Sequence, residues 1–176
     1  MQQAIPSTCA YMAAAILLSG CSTYVNIPSQ VGDVADNNPN ALTVREVEIE
    51  VISGMLAEEG VDTKYQIRLP EGTSPVHYNM VTTKLGDNAK WLLKGPQEAL
   101  PLIDVRQIRV RGWYAQVDLI RPSSFRQADG PRQLATGWLR WYPGIGWRYQ
   151  RLKMWSIGVH EALEEAPRQA ERTMEP

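Results

Sequence analysis

The stretch "DVRQIRVRGWYAQVDLIRP", Asp104 to Pro122, sets the architecture. On both sides of Gly112-Trp113 apolar and polar residues alternate, the period-two signature of strands with one face buried. Gly112 suits the first central position of a two-residue turn, where φ is positive. Pairing outward from that turn predicts Arg111 opposite Tyr114, Val110 opposite Ala115 and Ile108 opposite Val117. Arg109 then faces Gln116 and Gln107 faces Asp118 on the polar side. A one-residue slip would scramble both faces, so the pattern itself specifies the register.

A second hairpin follows in "LATGWLRWYPGIGWRYQRLKMW". With Pro143-Gly144-Ile145-Gly146 as a four-residue loop, Tyr142 faces Trp147, Arg140 faces Tyr149 and Trp138 faces Arg151. One face would carry Trp138, Arg140, Tyr142, Trp147, Tyr149, Arg151, Lys153 and Trp155. The core side would carry Ala135, Leu139, Trp141, Leu152 and Met154. Such a surface has two readings. It is either a solvated face held by cross-strand aromatic and cation–π pairs, or a groove in which Trp rings stack on sugars and Arg forks grip carboxylates.

Upstream, the period is helical. Val44, Val47, Val51, Ile52, Met55 and Leu56 share one face, Thr43 and Glu46 have capping-box spacing, and Gly60 is a natural stop. The alternation of Val47, Ile49 and Val51 with Glu offers a strand as the rival. "KYQIRLP" reads as a short strand closed by Pro70. Ser74-Pro75 opens a second helix running to about Leu85, with His77 in its first turn as a half-exposed polar residue.

The order helix, strand, helix, antiparallel meander predicts an α+β fold, with one or two helices on a curved antiparallel sheet of about four to five strands. "IRVRGWYAQVDL" and "GWRYQRLKMW" resemble the hairpin and final strand of NTF2-like and cystatin-like folds, in which a curved sheet wraps a long helix. The resemblance spans roughly Thr43 to Trp155. Enzymes of that superfamily use Asp or His inside the cone, but here Asp118 falls on the polar face and Asp104 at an edge. No catalytic residue is assigned.

The 176 residues carry 18 Lys and Arg against 19 Asp and Glu. That balance lacks the basic excess of a nucleic-acid footprint. Six Trp and seven Tyr stand against one Phe, an amphipathic set suited to interfaces and wet surfaces.

The N-terminus gives an address. Residues 1–20 contain no Asp, Glu, Lys or Arg, and Ala10 to Gly20 is almost wholly apolar or small. The run falls well short of the roughly 20 residues that span a bilayer as a helix and reads as an export signal. "Leu18-Ser19-Gly20-Cys21" matches a lipobox, and the chain resembles a bacterial lipoprotein precursor. The resemblance implies acylation of the Cys21 sulfur, cleavage after Gly20 by the lipoprotein signal peptidase and, with Ser22 next, sorting to the outer membrane. Cys9 would leave with the signal, so the mature chain would hold no free thiol for a disulfide or a thiolate metal site.

The expected organisation is a signal peptide at 1–20, a lipidated cysteine with a flexible tether at 21–41, one α+β domain at 42–157 and a short helix with a polar tail at 158–176. A tether of about 19 residues would hold the domain on the order of 25 Å from the lipid.

No nucleophile elbow, zinc-binding helix, phosphate loop or paired carboxylates are present in the sequence. The leading expectation is a membrane-anchored envelope lipoprotein of binding or scaffolding type, not an enzyme, without cofactor or metal. It would face the periplasm, with membrane lipid and an envelope protein or glycan as partners and no nucleic acid. The alternative is a small NTF2-like carrier or enzyme with a pocket between helix and sheet. A third reading is a subunit of a larger envelope assembly that uses the Trp/Arg face as its interface.

Overall fold

The computed structural model describes residues 24–92, 99–126 and 130–155. Chain order is β1 (Tyr24–Ile27), α1 (Leu42–Glu59), β2 (Tyr65–Arg68), α2 (Pro75–Leu85), β3 (Ala89–Trp91), β4 (Leu102–Arg111), β5 (Tyr114–Pro122), β6 (Arg132–Tyr142) and β7 (Gly146–Met154). The α+β class is as expected, but among the described residues the sheet has seven strands instead of four or five, is mixed rather than antiparallel, and stays uncurled.

Its order is β3-β2-β4-β5-β6-β7, with β1 also paired to β4. Strands β1 and β2 share one edge of β4. β2 runs parallel along Leu102 to Asp104, and β1 runs antiparallel along Ile108 to Arg111. Between them Arg106 forms a bulge, since Val105 pairs with Leu119 while Gln107 pairs with Asp118. β1 and β3 were not anticipated. The stretch expected to be a loose tether instead places Tyr24 opposite Arg111 and Ile27 opposite Ile108. The following residues are fastened as well: Asn26 N donates to Asp36 O at 3.1 Å, and Asp36 N donates to Tyr24 O at 2.9 Å.

The β4–β5 hairpin has the predicted register throughout, from Arg111 opposite Tyr114 to Gln107 opposite Asp118. The β6–β7 hairpin departs from prediction near its turn. Gly146 takes φ +92° and already belongs to β7, so the loop is one residue shorter and Tyr142 faces Gly146, Trp141 faces Trp147 and Leu139 faces Tyr149. A bulge that leaves Gln150 unpaired then restores the expected partners, beginning with Trp138 opposite Arg151.

Helix α1 buries Val44, Val47, Val51, Ile52 and Met55 against one face of the sheet, on the order of 10 kcal/mol of transfer free energy before conformational entropy is subtracted. That stripe rules out the rival strand. Its N-cap is Ala41 without a side-chain bond, so the expected Thr43–Glu46 box does not form, whereas Gly60 ends the helix at φ +63° as predicted. Two glycines allow the helix to sit very close to the sheet. A Cβ on Gly137 would overlap the Val51 side chain, and one on Gly54 would overlap the Tyr149 ring. Helix α2 begins as predicted, with Ser74 Oγ accepting from His77 N at 3.2 Å and Pro75 at the first position. Its Tyr78 stacks on Trp91 at 4.6 Å and covers the β2–β3 end.

The signal peptide, the lipobox Leu18-Ser19-Gly20-Cys21 and the segment 158–176 lie outside the described residues.

Candidate functional site

Both helices pack on one face of the sheet, and the other face carries no helix among the described residues. Strand pairing fixes its composition, because residues directly opposite each other point the same way. One cross-strand row at the β4–β5 turn end reads Tyr24, Arg111, Tyr114, Arg140. The next reads Asn26, Arg109, Gln116, Trp138, Arg151, and a third reads Gln107, Asp118, Thr136, Lys153.

Four cations on this face lie over aromatic rings: Arg111 over Tyr24 at 5.5 Å, Arg140 over Tyr114 at 5.6 Å, Arg151 over Trp138 at 4.7 Å and Lys153 over Trp155 at 3.9 Å. Arg140 also lies 5.4 Å from Tyr142. Each such contact contributes about 0.5–1 kcal/mol at an exposed site. None of these four cations has a carboxylate within ion-pair distance among the described residues. Asp118 is already satisfied: Arg109 Nη2 donates to its Oδ2 at 2.6 Å and Thr136 Oγ1 donates to its Oδ1 at 2.6 Å. Trp155 Nε1 in turn donates to Thr136 Oγ1 at 3.0 Å. The Trp155 ring is thereby held in place, and Arg140, Arg151 and Lys153 keep their charge available.

Of the eight residues expected on this face, six are here: Trp138, Arg140, Tyr142, Arg151, Lys153 and Trp155. Trp147 and Tyr149 are not. The shorter turn and the Gln150 bulge rotate that half of β7, so Trp147 is buried in the core and Tyr149 packs on Gly54, with its hydroxyl donating to Glu58. Burial, with Glu58 beside it, pushes the Tyr149 hydroxyl pKa well up.

Two clefts flank the face where the chain after β1 crosses it. One, of about 360 Å³, has Gln107, Asp118, Ile120 and Leu134 as its floor and Pro28 to Gln30 as a wall. The other, of about 490 Å³, opens where β1 and β2 diverge along β4. Asp104 is buried there, 3.2 Å from Arg68 Nη1 and 3.2 Å from Arg106 Nε. Burial raises its carboxyl pKa in spite of these arginines and Arg132. Neither cleft lies between α1 and the sheet, where a carrier of the NTF2-like kind would hold its ligand.

His77 is not half-exposed, as its first-turn position suggested. It is buried, and its Nε2 lies 2.7 Å from Glu48 Oε2 of α1. Arg121 is buried too. It donates to Glu59 and lies 5.1 Å from the Phe125 ring. Both groups sit under the helices, away from the open face. Glu48 lies four residues after Val44 and four before Ile52, so its place on the apolar stripe was the signal that could have found it.

No protein-family model, curated protein or solved structure matches the chain.

Proposed function

We propose that this protein is a lipid-anchored, non-enzymatic module of the cell envelope, acylated at Cys21 in the outer membrane and facing the periplasm. Its helix-free sheet face takes an anionic or glycan partner. The observation that carries this reading is the set of cations seated on aromatic rings without carboxylate partners, above all Arg151 on Trp138 and Lys153 on Trp155. Trp rings offer apolar faces to sugar rings, and a guanidinium beside them supplies a fork for a carboxylate. The adjoining cleft floored by Asp118, Ile120 and Leu134 gives such a ligand depth. The Arg109–Asp118–Thr136 network occupies both Asp118 oxygens and so offers no general base there.

The test is a pull-down with purified peptidoglycan. Trp138→Ala combined with Arg151→Ala should abolish retention while circular dichroism and melting temperature stay close to the parent. Retention equal to that of the parent, or none by the parent itself, would count against the face.

A further inference from the structure

Where the chain enters the sheet points to a second surface. β1 starts at Tyr24, three residues after Cys21. Three residues fully extended reach at most about 10 Å. β1 runs antiparallel to β4, and Tyr24 lies opposite Arg111, the last residue of that strand. The entry point is therefore at the β4–β5 turn, Gly112-Trp113. The β6–β7 turn, Pro143 to Ile145, lies at the same end, because Tyr114 pairs with Arg140 just before it. Trp113 and Trp141 join the two tips, with ring centroids 4.6 Å apart and Trp141 N donating to Trp113 O at 2.8 Å.

This end exposes apolar and aromatic side chains that the core does not claim. Trp113 is 52% exposed, Tyr114 57% and Ile145 60%. Arg111 and Arg140 are exposed beside them. Asp33 lies near enough to feel the Arg111 charge, and the N–H groups of Gln30 and Asn26 bind its carboxyl. Tyr and Trp favour the headgroup level of a bilayer, and a cation near an anionic surface gains with each charge.

We propose that this end of the sheet, built from Arg111, Trp113, Tyr114, Arg140 and Ile145, docks on anionic phospholipid headgroups of the membrane that holds the Cys21 acyl chains. The inference rests on the lipid-anchor reading above and makes it more specific: the domain does not hang from a loose tether but stands end-on at the surface. The Trp138–Arg151 row, one row further from the tip, is left facing the envelope space.

The test uses the full chain with Cys21→Ala, which carries no lipid, and vesicles of phosphatidylcholine alone or mixed equally with phosphatidylglycerol. Sedimentation with the mixed vesicles should exceed that with the neutral ones and fall as salt rises. Arg111→Glu with Arg140→Glu, which leaves residues 1–20 unchanged, should weaken it by about tenfold or more. Brominated lipid should quench tryptophan fluorescence, and Trp113→Phe should remove most of that quenching.

Equal binding to both vesicle types, unchanged binding by the charge-reversed chain, or binding only to a soluble anionic polysaccharide would overturn the proposal. The anchor is judged separately, by the mass of the Cys21 residue in the exported protein. Failure of that measurement leaves the vesicle result standing, and failure at the vesicles leaves the anchor standing.

Discussion

His77 Nε2 lies 2.7 Å from Glu48 Oε2, and this buried contact ties α2 to α1. Glu48 Oε1 and His77 Nδ1 have no hydrogen-bond partner among the described residues. A pair buried this deeply offsets most of its attraction with desolvation, so its presence is weak evidence of net stabilisation. Removing one partner is different, because it strands the other.

His77→Ala should therefore cost about 3 kcal/mol or more in urea unfolding. Replacing both residues by Leu should recover most of that loss. A double variant as unstable as the single one would show that the pair contributes more than mutual compensation.

The same pair makes stability depend on pH. Burial holds the Glu48 carboxyl pKa above its ordinary value, outweighing the help from His77. A group whose pKa rises on folding contributes stability that is complete below its unfolded value and lost as pH climbs through the folded one. Glu48 thus opposes folding increasingly toward neutrality. Glu48→Gln should gain melting temperature relative to the parent as pH rises above about 4.5, the ordinary value of the carboxyl. A constant or shrinking difference would contradict the assignment.

The glycine contacts between helix and sheet predict a coupled effect. Gly137→Ala places a methyl against Val51 and should destabilise by about 1–3 kcal/mol through overpacking. Val51→Ala in that background should cost less than Val51→Ala alone, since it vacates the space the new methyl needs. Strict additivity of the two changes in thermal melts would show that the close approach is not the cause.

The β4–β5 hairpin was legible because both faces of its alternation agree on one register, and the turn glycine fixes the centre. The β6–β7 hairpin was legible only beyond Trp138 and Arg151. Its slip depends on Gly146 joining the strand and on Gln150 bulging, and an alternating aromatic-basic run is compatible with either loop length. β1 was hidden by its Ser, Asn and Pro-rich surroundings. Its reason to be a strand is the free edge of β4, more than eighty residues away in the chain. Glu48 was marked by its place among Val44, Val47, Val51 and Ile52, but its partner His77 sits on another helix, and helical periodicity does not reach between elements. The open face was half legible: composition named Trp138, Arg140, Tyr142 and Arg151, while the turn geometry removed Trp147 and Tyr149.

In the proposed arrangement the domain stands on a membrane through Cys21, three residues before its first strand. Intact-mass measurement of the protein extracted from the membrane fraction tests it most directly. The predicted result is a chain that begins at Cys21, lacks residues 1–20 and carries the added mass of acyl chains. A chain that keeps those residues, or is cut elsewhere, or carries no acyl mass would contradict it.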